Sequence, residues 1–490
     1  MKNLILAALA GLFYALAFPT YDLWPFACLF GLPLFAAIKD VDWREAFLYG
    51  LLAGIVAWGG LIYWLGYVVN IYGYLNLGLS ALILLFFILY LALYMGLFAA
   101  LAAKLLPSRF AILSVPGIWV LLELVRSYAL TGFPWALLGY SLYPLKPLIQ
   151  VAEFGGVYLI SGIVMMANLA VYRLSRKDFK PLVLTLAVIT ACWVWGGWRM
   201  QSVPLQGKPL RVGIAQANIP QDQKWLEDNV DATVAIYQRL TDQAVRQGAQ
   251  IVTWPETACN FYLFDQWEPT LRVMELSQRI PARLLIGSPA FELESNPRYF
   301  NRIWLIDKGL IMGSYDKVHL VPFGEYVPLA WLLKPFIGKL TEGVSDFSTA
   351  QAQARPIEDI GILICFENLF PDMSRRLCRQ GAAYLVNASN DAWFHTWSAS
   401  EQLLAMSAFR AIECRRYVVR PVNHGISAVI DPWGRIVQQL GLLQEGVIVA
   451  DIQKLSCQTF HTRFGPVMAW LWGLCGLAML ISTRFRRHKR

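Results

Sequence analysis

Three side chains in the second half of the chain have the types needed to activate a sulfur nucleophile: Glu256, Lys317 and Cys365. A free cysteine has a pKa of about 8.5, so only a few per cent is thiolate at neutral pH. A nearby lysine ammonium lowers that pKa, and a carboxylate can take the proton. The ammonium can also stabilise the oxyanion that forms when a thiolate attacks a carbonyl. These residue types therefore predict nucleophilic catalysis at a carbonyl carbon.

Each of the three residues follows a stretch whose composition predicts a β-strand. The preceding strands, in the same order, are 249–254, 311–315 and 360–364. Polar residues at strand ends are candidates for ligand contact in α/β domains. Taken singly, each residue also has a structural explanation: a solvated turn for the glutamate, a surface hairpin for the lysine and a buried strand end for the cysteine. Their conjunction favours a catalytic unit.

Residues 205–458 have the pattern of one soluble α/β domain, because predicted strands alternate with amphipathic helices. The links 306–311 and 431–435 predict hairpins, which add antiparallel pairs. The predicted strands are 210–218, 249–254, 284–288, 302–306, 311–315, 360–365, 382–387, 417–422, 426–431 and 447–452, and the predicted helices are 229–247, 269–279, 371–380 and 399–415.

The remainder of the chain has the composition of a membrane protein. The sequence is 57% hydrophobic, with a mean hydropathy of +0.46, and the excess lies in 1–198 and 464–483. A membrane-crossing helix needs about 20 mostly apolar residues. Eight spans are predicted: 3–18, 23–38, 47–69, 78–103, 111–127, 154–173, 181–198 and 464–482. This gives seven spans in an N-terminal membrane domain (1–198), a catalytic domain (205–458), a closing span (464–483) and a basic tail (484–490).

The net charge of +9 resides mainly in clusters that flank the apolar runs, which favours topology signals over nucleic-acid binding. Basic residues follow the second, fourth, sixth and eighth spans, and the loops 19–22 and 69–77 carry none. The positive-inside rule then predicts cytoplasmic termini and an outward, periplasmic catalytic domain in an inner membrane.

The eight cysteines form no CxxC pair, and with five histidines there is no zinc-ligand spacing. No metal or organic cofactor is indicated. A disulfide among the five cysteines outside the apolar runs remains open.

Four strings in the soluble domain resemble the nitrilase superfamily, whose members carry a Glu–Lys–Cys triad on a four-layer αββα sandwich. They are Trp254-Pro-Glu-Thr, the stretch 317–328 (KVHLVPFGEYVP), Ile364-Cys-Phe-Glu367 and the stretch 387–394 (NASNDAWF). Together with the many predicted spans and the string TGFPW at 131–135, the whole chain resembles the apolipoprotein N-acyltransferase family. The resemblance implies Glu256 as base, Lys317 as oxyanion stabiliser and Cys365 as nucleophile.

The same resemblance marks further residues. Glu325 and Glu367 are implied as acidic neighbours, which either transfer protons or orient Lys317 and the backbone beside Cys365. Trp225, Phe366 and Trp135 are implied in substrate binding. Trp225 could instead cap a helix start, and Phe366 stands where tyrosine is common in the family, so a hydroxyl role there is in doubt.

An apolar segment and a charged pair have alternative interpretations. The stretch 329–340 (LAWLLKPFIGKL) predicts an arm that dips into the membrane surface, or a core segment of the soluble domain. Glu123 and Arg126, at helical spacing near a span end, predict an i,i+3 pair or a lipid headgroup site.

The family implies transfer of a fatty acyl group from a membrane phospholipid, through a Cys365 thioester, to the amine of a diacylglyceryl-cysteine at a lipoprotein N-terminus. A membrane-anchored amidase that releases its acyl group to water uses the same triad, so residue chemistry alone leaves it open. A transporter with an outer sensory domain would be expected to carry more charges within its spans.

Overall fold

A computed structural model describes residues 1–202, 206–293, 297–326, 347–350, 354–394 and 397–487. The chain divides into two compact units. The first comprises Met1–Val69, Asn76–Pro204 and Thr459–Arg490, and the second comprises Asn70–Leu75 and Leu205–Gln458. The short segment Asn70–Leu75, which the sequence places in a loop between predicted spans, therefore belongs to the unit that contains the predicted catalytic residues.

The first unit is helical. Its α-helices are α1 (Lys2–Leu16), α2 (Gly31–Ile38), α3 (Trp43–Ile62), α4 (Trp64–Ile71), α5 (Leu77–Leu105), α6 (Ala111–Tyr128), α7 (Lys146–Ile149), α8 (Ala152–Leu174) and α9 (Lys180–Ser202), and the chain ends with α15 (Phe460–Phe464) and α16 (Val467–Arg487). Short 3₁₀ turns lie at Trp24–Cys28, Ala129–Thr131 and Leu138–Leu142.

Five helices in the described residues, α3, α5, α6, α8 and α9, are long and apolar enough to cross a membrane. The other three predicted spans coincide with shorter apolar helices at Lys2–Leu16, Trp24–Ile38 and Val467–Ser482. The prediction of a multi-pass helical domain thus agrees with the apolar helices, whereas the count of eight spans is not confirmed. The second span is short because a 3₁₀ turn precedes α2.

Small residues let the long helices approach closely, as is common where helices pack in a membrane. A Cβ on Gly54 of α3 would lie 2.7 Å from the Ala92 Cα of α5.

A buried polar contact adds specificity elsewhere in this unit. Asn168 of α8 accepts a hydrogen bond from the Gly31 backbone N–H (2.7 Å) and donates to the Ala27 carbonyl (2.7 Å).

Glu123 and Arg126 lie one turn apart near the end of α6. Both are buried, and each bonds to the segment 133–138 rather than to the other residue, as far as the described contacts extend. Glu123 Oε1 accepts from the Leu138 backbone N–H (2.7 Å), and Arg126 Nη1 donates to the Trp135 carbonyl (2.8 Å). The charged pair therefore fixes the aromatic turn after α6 to that helix.

The second unit contains two β-sheets. The first has the order β11-β1-β2-β3-β4-β5, and the second has the order β10-β9-β8-β7-β6. The strands are β1 (Lys208–Gln216), β2 (Ile251–Thr253), β3 (Arg283–Glu292), β4 (Arg298–Asp307), β5 (Leu310–Asp316), β6 (Ile360–Ile364), β7 (Tyr384–Ala388), β8 (Val418–Arg420), β9 (Ser427–Ile430), β10 (Ile436–Leu440) and β11 (Gly446–Lys454).

The sheets mix parallel and antiparallel pairs. Strands β1, β2 and β3 are mutually parallel, and so are β6, β7 and β8, while the remaining pairs are antiparallel. Both predicted hairpins are present, as the pairs β4–β5 and β9–β10. Strand β10 itself is absent from the predicted set, because its sequence IVQQL is exposed and half polar.

Helices cover the outer faces of the two sheets. They are α10 (Gln221–Lys224), α11 (Val230–Arg246), α12 (Trp267–Arg279), α13 (Pro371–Arg379) and α14 (Trp397–Cys414), with 3₁₀ turns at Glu227–Asn229, Cys365–Leu369 and Asp391–Trp393. Helix α11 contacts β1, β2 and β11, α13 contacts β6, and α14 contacts β8 and β9. Strands β1 and β11 of the first sheet contact β8, β9 and β10 of the second. The unit is thus the expected nitrilase-like αββα sandwich.

The two sheets contribute different parts of the predicted triad. Glu256 follows β2 and Lys317 follows β5, both in the six-stranded sheet, whereas Cys365 follows β6 in the five-stranded sheet. Strands covered on both faces are expected to be continuously apolar. Strands β2, β6 and β7 are accordingly buried along their full length.

A fully buried ion pair joins Asp391, which follows β7, to Arg420 of β8, with 3.0 Å between Arg420 Nη2 and Asp391 Oδ2. Two serine hydroxyls also donate to the carboxylate, Ser389 at 2.6 Å and Ser400 at 2.8 Å. Removal of one charge from such a pair leaves the other charge buried in the protein interior, which solvates it poorly.

We expect Asp391→Asn to lower the free energy of unfolding by about 3 kcal/mol, because it leaves the Arg420 guanidinium buried without a counter-ion. Denaturation in detergent, followed by tryptophan fluorescence, measures this loss. The matched control is Asp242→Asn, which removes the exposed partner of Arg279 and should cost less than about 1 kcal/mol. Equal losses in the two variants would contradict the prediction.

Candidate active site

Cys365 lies at the point where β6 ends and a 3₁₀ turn begins. Its backbone φ is +50°, a left-handed conformation that residues other than glycine rarely adopt. Such conformations persist where the surrounding structure enforces them, and they cluster at functional sites. The cysteine remains partly accessible to solvent. The cysteine therefore lies where the backbone leaves the buried strand β6.

Glu256 is 5% exposed, and both of its carboxylate oxygens accept hydrogen bonds. Oε1 accepts from Asn301 Nδ2 (2.7 Å) and Lys317 Nζ (3.2 Å). Oε2 accepts from the Asn390 backbone N–H (3.0 Å). These donors come from β4, the end of β5 and the turn after β7, so the carboxylate is held from both sheets.

Lys317 is 1% exposed and bridges two carboxylates. Its Nζ lies 3.2 Å from Glu256 Oε1 and 2.8 Å from Glu325 Oε1. Burial alone would lower the pKa of this ammonium, but Glu256 and Glu325 outweigh burial and raise the pKa above its usual value. The two carboxylates therefore favour the charged form of this lysine.

The pKa of the Cys365 thiol depends on two of the same charged groups. Burial raises its pKa, the negative charge of Glu256 raises it further, and the Lys317 ammonium opposes both. The three predicted residues are thus close enough to act on one another. Since burial and Glu256 favour the protonated thiol, attack on a carbonyl would require a base to take that proton as the bond forms.

Glu367 connects the ends of the two strands that carry Lys317 and Cys365. Its Oε1 accepts from the backbone N–H groups of Val318 (2.7 Å) and His319 (3.0 Å), and its Oε2 accepts from that of Ile364 (2.8 Å). The Tyr315 hydroxyl donates to both oxygens, at 3.1 and 3.0 Å. Glu367 therefore fixes the backbone that follows β5 relative to the last residue of β6.

Two family models match this chain. Residues 10–170 match the family model described as "Apolipoprotein N-acyltransferase N-terminal domain", and residues 211–462 match that described as "Carbon-nitrogen hydrolase". A curated protein of Geobacter metallireducens named apolipoprotein N-acyltransferase is 38% identical, covering 99% of this chain and 96% of that protein.

The chain belongs to the apolipoprotein N-acyltransferase family. A second relative with the same name, from Pseudomonas paraeruginosa, is 32% identical over 99% of this chain and 97% of its own length. Among solved structures, the C. elegans NitFhit protein is 21% identical, covers 51% of this chain and 62% of its own, and has a TM-score of 0.41.

Asn301 and Tyr315 also belong to the site of this N-acyltransferase family member, but the sequence did not predict them. Asn301, in the middle of β4, donates from Nδ2 to Glu256 Oε1 and to Glu325 Oε1 (3.2 Å). Tyr315, near the end of β5, donates to Glu367. Both are buried polar groups within strands, a signal that becomes visible only once the burial of each position is known. Asn390 lies within the string 387–394, but its backbone N–H is the group that bonds.

The residues implied in substrate binding have different surroundings. Trp225, at the end of α10, is 48% exposed. Phe366 is buried and packs edge-to-face against Phe370, with 5.3 Å between ring centroids. Trp135 belongs to the helical unit, where its buried ring stacks on Phe133 at 5.8 Å. The arm predicted at 329–340 lies outside the described residues.

The segment Asn70–Leu75 adds an unexpected contact to this part of the catalytic unit. The Tyr72 ring packs edge-to-face on Trp393, with 4.9 Å between centroids, and its hydroxyl lies 3.4 Å from the Ala392 carbonyl. These residues directly follow Asn390 and Asp391. The segment therefore supports the turn that holds the Glu256 carboxylate.

We expect Gly287→Ala to displace Glu256, the predicted base, and to abolish most activity. A Cβ at this position would lie 2.7 Å from the Thr257 nitrogen and 3.0 Å from the Glu256 Cα, and closer still to the Pro255 carbonyl oxygen. All three are backbone atoms, so the loop that carries Glu256 must move. The measurement is the acyl-transfer rate, with a loss of about 100-fold expected, because displacements of about 1 Å can cost that much.

The control for this substitution is Gly441→Ala, whose added Cβ would meet only the Gln444 side chain at ordinary contact distance. It should keep the parent rate. A Gly287→Ala protein with parent activity would show that the loop tolerates displacement.

The pKa of Glu367 predicts a pH-dependent stability. Burial raises this pKa from 4.5 to about 7, although three backbone N–H bonds and Lys317 oppose the rise. The folded state therefore prefers the protonated carboxyl, so the stabilising contribution is complete below about pH 4.5 and is lost as the pH rises through 7. We expect the Tm of the parent, relative to that of Glu367→Gln, to fall between pH 5 and pH 8.

Thermal unfolding of both proteins at several pH values in one detergent measures this difference. The change corresponds to at most about 3 kcal/mol. A difference in Tm that stays constant or grows with pH would show that Glu367 is ionised throughout.

Proposed function

We propose that this protein transfers a fatty acyl group from a membrane phospholipid to the N-terminal amine of the diacylglyceryl-cysteine of apolipoproteins, with a thioester on Cys365 as the intermediate. The observation that supports it is the buried Lys317 ammonium, which bridges Glu256 and Glu325 and opposes the rise in the pKa of the Cys365 thiol that burial and Glu256 cause. Membership of the family adds the substrate class.

In the first step, the Cys365 sulfur attacks the ester carbonyl carbon while Glu256 takes the thiol proton. The carbonyl oxygen becomes an oxyanion, which the Lys317 ammonium stabilises. Collapse of this intermediate breaks the ester C–O bond. The departing lysophospholipid oxygen receives the proton from Glu256, and the acyl group remains on sulfur as a thioester.

In the second step, the neutral amine of the acceptor attacks the thioester carbonyl. Glu256 takes a proton from the amine nitrogen, and Lys317 again stabilises the oxyanion. The C–S bond then breaks, an amide forms, and the thiol is restored with the proton held by Glu256. Glu325 holds Lys317 in place, and Glu367 orients the backbone on both sides of the site. Trp225 and Phe366 provide apolar surface for the acyl chain.

The membrane arrangement that fits this chemistry has eight spans, with both termini in the cytoplasm and the catalytic domain on the periplasmic side of the inner membrane. Five of these spans correspond to long apolar helices and three to shorter ones. Both lipid substrates would then be available at the outer leaflet. Trp135 is proposed to bind substrate on the membrane side.

Intact mass spectrometry after incubation with phospholipid alone tests the proposal. We expect an increase of one acyl group, absent in Cys365→Ala and removed by hydroxylamine, which cleaves thioesters. Addition of a diacylglyceryl-cysteine peptide should then transfer the adduct to the peptide amine. Cys259→Ala and Cys378→Ala, which remove two buried thiols, are controls and should retain the adduct.

Two results would contradict the proposal. An adduct on Cys365→Ala would show that another group is the nucleophile. Rapid decay of the adduct to free fatty acid, without transfer to the peptide, would identify an amidase-like hydrolase that shares the acyl-enzyme step.

A further inference from the structure

A second lysine is buried beside the proposed base. Lys224, the last residue of α10, is 1% exposed. Its Nζ donates to Thr257 Oγ1 at 2.7 Å and to the Glu256 carbonyl oxygen at 3.4 Å. Glu256 is therefore held by two lysines, Lys317 at its carboxylate and Lys224 at its backbone.

Lys224 differs from Lys317 in having no counter-ion. Lys317 makes two ion pairs, whereas Lys224 makes none within the described part of the chain and bonds only neutral oxygens. An ammonium buried without a carboxylate partner costs free energy relative to an apolar residue of the same length. Packing alone would be served better by methionine, so the charge itself calls for an explanation.

The backbone that Lys224 holds is strained. Thr257 has a φ of +46°, a conformation that costs a residue other than glycine of order 1–3 kcal/mol. On its other side the same loop lies against Gly287, where no Cβ can be accommodated. The Lys224 carbonyl in turn accepts from Asn260 Nδ2 at 2.6 Å. The lysine thus closes a network that fixes the loop Glu256–Asn260 to the end of α10.

The end of α10 also carries Trp225, the residue proposed to contact lipid. The Lys224 Nζ lies 5.8 Å from the centroid of the Trp225 ring, within the range of a cation–π contact. One side chain therefore touches both the loop of the base and the exposed tryptophan. The titratable groups that act on its ammonium are Glu256 and Cys259.

We propose that Lys224 is a positioning residue for acyl transfer, whose ammonium charge holds Glu256 in its working position and couples it to the substrate-contacting Trp225. This inference rests on the proposed function. It assigns to the charge, and not to the bulk of the side chain, a role in the formation of the thioester.

The ammonium is also in a position to respond to pH. Burial lowers the pKa of Lys224 to about 8, against the attraction of Glu256 and Cys259. Below that pH the lysine is charged and the loop is held. Above it the proton is lost, so the rate of acylation should fall as the pH rises through about 8.

The test is the single-turnover rate of Cys365 acylation by phospholipid vesicles, measured by intact mass for the full-length protein in detergent. Lys224→Met keeps the length of the side chain and removes its charge. We expect this variant to acylate at least 10-fold more slowly, with an unchanged or higher Tm, and without the decline above pH 8. Thr257→Val, which removes the shorter of the two hydrogen bonds, should slow the reaction in the same direction.

Lys224→Arg provides a positive charge that does not titrate near pH 8. This variant should shift the decline in the acylation rate to higher pH. A Lys224→Met protein with a rate within twofold of the parent would overturn the proposal. A rate that falls only in proportion to a lowered Tm would do the same, because it would indicate a purely structural role.

A second measurement separates this inference from the proposed function. The rate of Cys365 alkylation by iodoacetamide, followed by peptide mass, requires no acyl donor. If the parent forms no acyl adduct, the proposed function fails, and slower alkylation in Lys224→Met at pH 7 still supports the role of Lys224 in positioning the base. Equal alkylation rates would refute it.

Discussion

The Lys317 ammonium, buried between two carboxylates, is the interaction on which the site depends. A charge in the protein interior is tolerated only when it is paired and hydrogen-bonded. Glu256 and Glu325 provide the pairing, and Asn301 fixes both carboxylates relative to each other. The same contacts hold the Glu256 carboxylate in place. In the proposed mechanism, this fixed positive charge is in place before substrate binds, which is the condition under which electrostatic support for an oxyanion is most effective.

The second constraint is that the reacting groups come from different sheets. Glu256 and Lys317 follow strands of the six-stranded sheet, whereas Cys365 follows a strand of the five-stranded sheet. Glu367 spans this division, because its oxygens bond the backbone after β5 on one side and the last residue of β6 on the other. The Glu367 carboxylate, which is chemically able to transfer protons, thus connects two strand ends.

Polar groups in the helical unit follow the same physical rule. Asn168, Glu123 and Arg126 are buried among apolar helices, and each bonds backbone groups of a turn that would otherwise be left without partners. A segment between two of these helices, Asn70–Leu75, belongs instead to the catalytic unit, where Tyr72 packs on the turn that follows Asn390. The position of Glu256 therefore depends on chain segments far apart in sequence.

The sequence by itself determined the apolar helices, the α/β class, and ten of the eleven strands that the described residues contain. It also determined the strings that contain Glu256, Lys317 and Cys365, because periodicity and strand-end position are local properties. It did not determine β10, whose exposed face lacks an apolar pattern, or the supporting residues Asn301, Tyr315 and Lys224. These are ordinary polar residues until burial makes each hydrogen bond and each charge costly to leave unsatisfied. Only the packing of the two sheets decides which polar residues are buried at the site, since it alone brings the ends of β2, β5 and β6 to one place.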